Sequence, residues 1–531
     1  MQQRLLTLFA FLMPCLIKAQ AINTRANSID VQQYRYQLLL TDASDTIKGN
    51  AIIDVLFLKD ANNIELDLYN RHENGQGMLV TAVTENNNKV KFSQQEETIR
   101  IATFAKAGET IQYTIIYEGI PASGLIIDKN KYGQRTFFGD NWPNQAHHWL
   151  PCIDHPADKA AVEFIVTAPQ QYQVVANGVQ IEETNNDNGF TTTYWKETVA
   201  IPTKVMTIGV ANFAVQYAGT VDCIPVYSWV YPKDKEKGFY DFAQAKEILS
   251  WFIKTIGPYA YLKLANVQSK TRFGGMENAS TIFYAEEKIS GTRKEESLLA
   301  HEIAHQWFGN SATEINWQHI WLSEGFATYL THMYLEDLKG AETLQQGLQK
   351  DRNTIIVFSK TNKKPVVDLS IQNNFTQLLN ANSYQKGSWV LHMLRRKIGD
   401  DHFNKGLKNY YQQYAGKNAS TEDFRKVMET TSGQDLQPFF NQWLYTSGQP
   451  QLKWSWQYNA DKKTVSITVD QQQATLFQFP LQVMVQSGNE VITKSTNITA
   501  VQTVITVPAE NKPSRVVLDP NTNLLFEETK Q

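Results

Sequence analysis

The chain is poor in cysteine, nearly balanced in charge, and free of internal repeats and low-complexity segments. Its formal net charge of -3 leaves no basic excess to attract nucleic acid or an anionic membrane. After the N-terminal region, no apolar stretch is long enough to span a bilayer. We therefore expect neither a nucleic-acid-binding protein nor a stably membrane-inserted one.

Three cysteines are present, Cys15, Cys152 and Cys223. If the first is removed with a leader, a single disulfide is the most that the rest can form. An oxidising compartment permits that bond, and two thiols are equally compatible with the sequence.

What the chain does contain is typical of a large soluble protein. Hydrophobic residues make up 42% and charged residues 19% of its 531 residues, as in ordinary globular proteins. The length exceeds what one hydrophobic core supports, so two to four domains are expected. The 12 Trp, 23 Tyr and 26 Phe favour β-containing domains with sizeable cores.

Residues 1–21 have the pattern of a signal peptide. Arg4 supplies the positive start, residues 5–17 the apolar core, and residues 19–21 (AQA) a small-x-small cleavage site. A short anchoring helix is the alternative, and lipid modification at Cys15 stays open. The sequence predicts export to the periplasm or the extracellular space.

The residue pattern changes twice along the chain. Alternating apolar residues predict an antiparallel β domain over 22–214. Helical periodicity then dominates 215–447, beginning with one long helix that ends at Gly257-Pro258. Alternation returns from Leu452, after a turn-rich linker at 446–451, and predicts a small C-terminal β-sandwich domain over 448–531. We therefore expect a multidomain α+β protein.

The stretch LLAHEIAHQWFGN, residues 298–310, contains the pattern H-E-x-x-H. On a helix, His301 and His305 share one face and can bind one metal ion, while Glu302 projects from the neighbouring face towards a metal-bound water. The alternative is a helix with two ordinary, satisfied histidines. Thr292 with Glu295 predicts a capping box for this helix, and Gly309 predicts its C-terminal cap.

A second helical segment, WLSEGFATYL at 321–330, provides a third ligand. Glu324 follows His305 by enough residues for a turn and an antiparallel return of the chain. A carboxylate among so many apolar residues is costly to bury unless it is paired. Two His and one Glu form a hydrolytic zinc site with one open position. This ligand set suits zinc without excluding another divalent metal.

These motifs resemble the gluzincin aminopeptidases, the family of aminopeptidase N and of leukotriene hydrolase/aminopeptidase. FGGMEN at 273–278 resembles the family's G-x-M-E-N exopeptidase motif, and SYQKG at 383–387 its Y-x-K-G segment. The resemblance implies one zinc ion per chain in a thermolysin-like, mostly helical catalytic domain. The order of domains extends the likeness over nearly all of the chain after residue 21.

The resemblance also implies roles for individual residues. Glu277 binds the free α-amino group of a peptide, and an ammonium in a confined cleft does need a carboxylate partner. Glu302 acts as the general base. Tyr384 stabilises the oxyanion, where the residue alone would be taken for a half-buried core tyrosine. The remaining predicted substrate-binding residues lie in the same motif: Gly274, Gly275, Met276 and Asn278.

One position departs from the family pattern. Relatives commonly carry Gln or Glu twelve residues before the Asp of a P-C-x-D-like segment. Here that segment is LPCID, and counting back from Asp154 reaches Trp142, with Gln145 nearby but out of register. Whether either residue contributes to amine binding stays open.

We therefore predict an exported zinc aminopeptidase that acts on peptides with a free N-terminus. By resemblance, we expect it to prefer a neutral, apolar or small first residue. The rivals are a zinc endopeptidase using the same site and a non-catalytic peptide-binding protein on the same scaffold. The sequence does not indicate an oligomeric state.

Overall fold

A computed structural model describes residues 27–530, with side chains to residue 528. The predicted signal peptide at 1–21 and Cys15 lie outside the described residues. Within the described range, no helix is long and apolar enough to cross a membrane. Cys152 is a buried thiol and Cys223 an exposed one.

The N-terminal part is built of strands, as the alternation predicts. In β1, Tyr34, Tyr36 and Leu38 are buried at every second position. The strands of this part are β1 Ile29–Leu39, β2 Ile47–Phe57, β3 Ala61–Asp67, β4 Gly77–Glu85, β5 Asn88–Lys89, β6 Phe92–Gln95, β7 Thr98–Ala105, β8 Thr110–Ile120, β9 Gly124–Lys129, β10 Arg135–Asp140, β11 Lys159–Pro169, β12 Gln173–Ala176, β13 Val179–Asn185, β14 Phe190–Pro202 and β15 Ile208–Ala211.

An eight-stranded sheet dominates this part, in the order β13-β14-β11-β1-β2-β8-β4-β5. Its pairs are antiparallel except for β1 and β11, which run parallel, so the expected all-antiparallel sheet is wrong at this pair. A four-stranded sheet has the order β12-β15-β10-β9. Its strand β10 ends at Asp140, two residues before Trp142.

The middle part combines helices with a mixed sheet of order β16-β17-β18-β20-β19. Its strands are β16 Ala214–Val221, β17 Ile224–Val230, β18 Leu264–Ser269, β19 Gly275–Met276, β20 Thr281–Ala285, β21 Thr313–Glu314 and β22 Asn418–Ala419. Its helices are α1 Lys235–Phe242, α2 Ala245–Thr255, α3 Glu296–Ala304, α4 Trp321–Lys339, α5 Ala341–Ser359, α6 Gly387–Ile398, α7 Asp400–Tyr414, α8 Thr421–Ser432 and α9 Gln437–Phe440.

The single long helix predicted after residue 235 is wrong. The chain forms α1 and α2, with a break at Ala243 and Gln244. The Gln244 side chain donates to the Asp241 carbonyl at 3.1 Å, an acceptor that a continuous helix would use for its own backbone.

Both predicted caps of the H-E-x-x-H helix are also wrong. The residue before α3 is Glu295, whose side chain makes no cap, and the Thr292 hydroxyl lies 2.9 Å from Ser290 Oγ instead. Arg293 has a φ of 59°, so the chain turns sharply before α3 can begin. The helix ends at Ala304, and Gly309, with a φ of 120°, lies beyond the following turn.

The C-terminal part consists of two small sheets, β27-β24-β23-β29 and β26-β25-β28. Their strands are β23 Gln451–Asn459, β24 Thr464–Gln471, β25 Phe479–Ser487, β26 Glu490–Ile498, β27 Gln502–Pro508, β28 Arg515–Leu518 and β29 Glu527–Lys530. The predicted α+β class is confirmed, with a β-rich start, a helical centre and C-terminal strands. The domain limits at 214 and 447 stay predictions.

Candidate active site

The two histidines of the motif meet at the C-terminal end of α3. His301 lies on the helix and His305 in the turn after it, and their Nε2 atoms are 3.1 Å apart. His305 Nδ1 lies 3.2 Å from the Phe308 carbonyl oxygen and 3.0 Å from Ser323 Oγ. Because a carbonyl only accepts, the proton belongs on Nδ1, and the lone pair of Nε2 faces the shared centre.

Glu324 completes the group from the first turn of α4. Its Oε2 lies 3.5 Å from His301 Nε2 and 3.3 Å from His305 Nε2. Ligands at zinc-bonding distance on a tetrahedron are separated by about 3.3 Å. The spacing of the three ligand atoms therefore fits a zinc ion.

The charged residues around His301, His305 and Glu324 also favour a bound cation. Burial raises the pKa of Glu324, but His305 and His301 outweigh that effect, and the pKa lies below its usual value. Burial lowers the pKa of His305, yet Glu324 and Glu277 raise it to about 9. A divalent cation bound at Nε2 would take the place of that extra proton, because the same Glu324 carboxylate attracts it.

Glu302 lies on α3 against the strand that carries GGMEN. Burial raises its pKa well above the usual value, His305 lowers it, and Glu277 raises it further. A side chain at Gly275 would overlap the Glu302 carboxylate, because a Cβ there would lie 2.5 Å from Cδ and 2.6 Å from Cγ. Gly275 is therefore needed so that Glu302 can occupy this place.

One carboxylate oxygen of Glu277 accepts no hydrogen bond from the described residues. The residue is 5% exposed, and its Oε1 is buried without a hydrogen-bond partner among residues 27–530. Its backbone carbonyl accepts bonds from Gln306 Nε2 at 3.0 Å and Asn310 Nδ2 at 2.6 Å. A buried carboxylate oxygen without a donor is costly, so Glu277 is prepared for a cationic ligand.

Gln306 and Asn310 were missed by the sequence analysis. Gln306 also accepts at 2.9 Å from the backbone N–H of Ser280, so it holds both ends of the Glu277 turn against the end of α3. In the sequence, the feature that could have indicated Gln306 and Asn310 is the pair of amide side chains in the run QWFGN directly after His305, a run that the structure buries.

Tyr384 reaches the site from a π-helical turn, Asn382–Lys386, that leads into α6. Its ring lies parallel to that of His301, with 6.0 Å between centroids. Burial raises the pKa of Tyr384 well above its usual value, and Glu324 and Glu277 raise it further, so the phenol keeps its proton and can donate. The position depends on Gly325 and Gly387, since a Cβ on Gly387 would lie 3.0 Å from the Gly325 Cα.

These side chains share one small cavity of about 50 Å³. Gly274 and Asn278 are not among its lining residues, and Gln145 is not either, whereas Trp142 is. A larger cavity, about 810 Å³ between α6 and the C-terminal strands, contains none of the predicted ligands. The lining residues of the small cavity are Trp142, Phe273, Gly275, Met276, Glu277, His301, Glu302, His305, Glu324, Leu379 and Tyr384.

Two family descriptions match the chain. The peptidase M1 N-terminal domain matches residues 31–205, and the peptidase family M1 domain matches residues 240–443. The first match contains Trp142, and the second contains every other residue that lines the cavity.

Curated relatives carry the names of aminopeptidases. Aminopeptidase A of Gloydius brevicauda is 29% identical over 340 residues, which cover 61% of this chain and 35% of that protein. Leucyl aminopeptidase of Saccharolobus solfataricus is 24% identical over 443 residues, which cover 79% of this chain and 54% of that protein. The matched region is thus about a third to a half of each relative's length.

The fold is similar to that of a solved structure, Legionella pneumophila aminopeptidase A in complex with aspartic acid. The TM-score is 0.81 at 17% identity, and the match covers 95% of this chain and 60% of that one. At this identity the likeness concerns the fold alone.

Proposed function

Because the chain belongs to peptidase family M1, we propose that it is a zinc metallo-aminopeptidase. It removes the first residue from peptides that have a free N-terminus. The observation that carries this proposal is the buried, unused Oε1 of Glu277 in the same cavity as His301, His305 and Glu324.

Glu277 determines where the peptide is cut. An ammonium on Glu277 gains a charge-assisted hydrogen bond in a site of low dielectric. That ammonium marks the start of the peptide, and the same cavity is lined by His301, His305 and Glu324. The scissile carbonyl must then be that of the first residue.

Each residue of the site has its own part in the proposed reaction. A zinc ion on His301, His305 and Glu324 would lower the pKa of a water and polarise the scissile carbonyl. A cation bound beside Glu302 would favour its ionised form, in which Glu302 accepts a proton from the attacking water and returns it to the leaving amine. Tyr384 donates its O–H to the carbonyl oxygen as negative charge develops there.

The two rival functions fit the site less well. An endopeptidase binds no free ammonium at its site, and in that function the buried Oε1 of Glu277 would stay without a donor. A non-catalytic peptide-binding protein has no physical need for Glu302, a buried carboxylate that lies beside His305 and Glu277.

We also propose that the protein is exported, to the periplasm or the extracellular space. The pattern of residues 1–21 supports this. Mass spectrometry of the mature protein should find Ile22 at the N-terminus. A mature chain that retains residues 1–21 would contradict the proposal.

A panel of aminoacyl-aminomethylcoumarin substrates tests the proposed function. We expect turnover of at least one member, loss on treatment with a zinc chelator, and recovery when zinc is added back. In parallel, Glu302→Gln should retain zinc by atomic absorption while activity falls by about three orders of magnitude. If no member is turned over in a chelator-sensitive way, the proposed function is wrong.

A further inference from the structure

Lys386 lies two residues after Tyr384 in the same π-helical turn, and its ammonium is buried. The side chain is 1% exposed, and Nζ donates a 2.7 Å hydrogen bond to the backbone carbonyl of Gly448. Burial lowers the pKa of Lys386 to about 8, and no charged group in the described part of the chain offsets that effect. At neutral pH the side chain is therefore a buried cation with a neutral partner.

A cation in this position does not stabilise the fold by itself. An ammonium can donate three hydrogen bonds, and its removal from water is costly when no opposite charge is near. Methionine has a similar length and would fill the same space without that cost. What the lysine adds is a hydrogen bond between two segments that are 62 residues apart.

The first of these segments is the turn that carries Tyr384. The Lys386 backbone N–H donates to the Ala381 carbonyl at 2.8 Å, five residues back. This is the spacing of a π-helix, which is rare and occurs mostly as single turns, often at functional sites. We therefore expect contacts outside the turn to hold it in this conformation.

Side-chain hydrogen bonds hold the turn on both sides of Tyr384. Before it, Asn382 Nδ2 donates to a carbonyl of the preceding loop at 3.0 Å. Ser383 Oγ donates to the Leu378 carbonyl at 2.6 Å. After it, the bond comes from Lys386. Without the Lys386 bond, the turn would be held by side chains on one side only.

The second segment is the linker before the C-terminal strands, and it is itself fixed. Gln449 Nε2 donates at 2.9 Å to Oγ of the last residue of α5. The Pro450 carbonyl accepts at 2.9 Å from the first backbone N–H of β29. Because both neighbours of the Gly448 carbonyl are tied down, that carbonyl is a firm anchor for Lys386.

We propose that Lys386 is a positioning residue for the oxyanion donor, because its bond to the Gly448 carbonyl holds the turn that directs the Tyr384 phenol into the site. The inference rests on the proposed function, in which Tyr384 donates to the substrate carbonyl oxygen. Of the described residues that line the cavity, none belongs to the C-terminal strands. Through this bond the linker to those strands contributes to the reaction without touching the substrate.

Lys386→Met in the full chain tests the inference. Misplacement of a catalytic group by about 1 Å can cost about a hundredfold in rate, so we expect kcat to fall by about 10- to 100-fold with little change in KM. Zinc content should stay near the wild-type level. Lys363→Met is the matched control, because Lys363 also donates to a backbone carbonyl, that of Ser359, but is exposed. The control should keep kcat within about threefold of wild type.

A double-mutant cycle separates positioning from a general structural effect. If Lys386 acts only through the Tyr384 phenol, Lys386→Met should cost no more than Tyr384→Phe does. Introduced into the Tyr384→Phe protein, it should then lower kcat by less than about twofold. A purely structural effect would lower kcat by the same factor in both backgrounds.

The bond can also be weakened from the acceptor side. A Cβ on Gly448 would meet no atom within 4 Å, so Gly448→Ala acts only through its left-handed φ of 80°. Gly433→Ala is the matched control, with a φ of 70° and the same open space just after α8. Gly448→Ala should lower kcat by about threefold or more relative to this control, and only while Tyr384 is present. If Lys386→Met does not fold, Gly448→Ala takes its place.

Two outcomes would overturn the inference alone. One is a folded Lys386→Met protein with kcat within about threefold of wild type, and the other is a loss that persists unchanged in the Tyr384→Phe background. A wild-type kcat in Tyr384→Phe would instead overturn the proposed role of that tyrosine. The absence of chelator-sensitive turnover for every substrate would overturn the proposed function, so these failures are distinguishable.

Discussion

Adding one methyl group at Gly275 should disable the proposed general base without unfolding the protein. In Gly275→Ala, the new Cβ would lie 2.5 Å from Glu302 Cδ, where ordinary contact begins at 3.4 Å. The carboxylate must therefore retreat by about 1 Å. The φ of Gly275 is not in the left-handed region, so the backbone itself accepts alanine without strain.

The expected loss follows from that displacement. A 1 Å misplacement of a catalytic group costs about a hundredfold in rate, or about 2.7 kcal/mol in activation free energy. We expect kcat to fall by about this factor. The three atoms nearest to the new methyl group all belong to Glu302, so the zinc content that we propose for His301, His305 and Glu324 should stay near the wild-type level.

The assay is steady-state turnover of alanyl-aminomethylcoumarin, together with zinc content and thermal melting. Gly274→Ala is the matched control, because its Cβ would meet the flexible end of Lys288 at 3.3 Å and Leu298 Cδ1 at an ordinary contact distance of 4.0 Å. That variant should lose less than about fivefold in kcat. The reasoning is refuted if folded, zinc-loaded Gly275→Ala keeps activity close to that of the control.

Three further variants address the oxyanion donor, a buried ion pair and acid stability. Tyr384→Phe removes one donor and should lower kcat by about 10²–10³-fold with little change in KM, measured on the same substrate. Lys204 Nζ lies 2.5 Å from the buried Glu314 carboxylate. Lys204→Met leaves that carboxylate unpaired and should lower the free energy of unfolding by about 3–5 kcal/mol, measured by urea denaturation. Burial lowers the pKa of His319 to about 4. In the unfolded chain His319 takes up a proton at about pH 6.5. The stability that neutral His319 contributes to the folded protein is therefore complete above that pH, and about 3 kcal/mol of it is lost as the pH falls to 4. His319→Asn should lack this acid sensitivity in melting curves measured between these pH values.

Spacing was enough to predict that the two histidines of the motif meet. His301 and His305 lie four residues apart, and because His305 caps the last turn of α3 with helical backbone angles, the two imidazoles lie on one face. Glu324 was found because a carboxylate in an apolar segment demands a partner. The structure brings these three together at the predicted place.

Contacts between distant segments could not be predicted. The overlap of Gly275 with Glu302 and the close approach of Gly325 to Gly387 depend on how separate elements pack. The two hydrogen bonds of Gln306 to the Glu277 turn also join segments that are distant in sequence. Local propensity carries no information on such tertiary contacts.

The cap predictions failed for a related reason. Thr292 and Glu295 have the right spacing for a capping box. The chain, however, turns at Arg293, where φ is 59°, and α3 begins only after Glu295. The tertiary path of the loop overrode the local signal, while the helix itself formed where periodicity placed it.

Comparing one peptide with and without a blocked N-terminus tests the central claim most directly. The peptide Ala-Ala-Phe-Lys and its N-acetylated form are incubated with the zinc-loaded protein, and products are followed by mass spectrometry. Because Glu277 must bind a free ammonium, we predict stepwise removal of alanine from the first peptide and no cleavage of the second. Cleavage of the acetylated peptide at a comparable rate would contradict the assignment of Glu277 and of the site as an aminopeptidase.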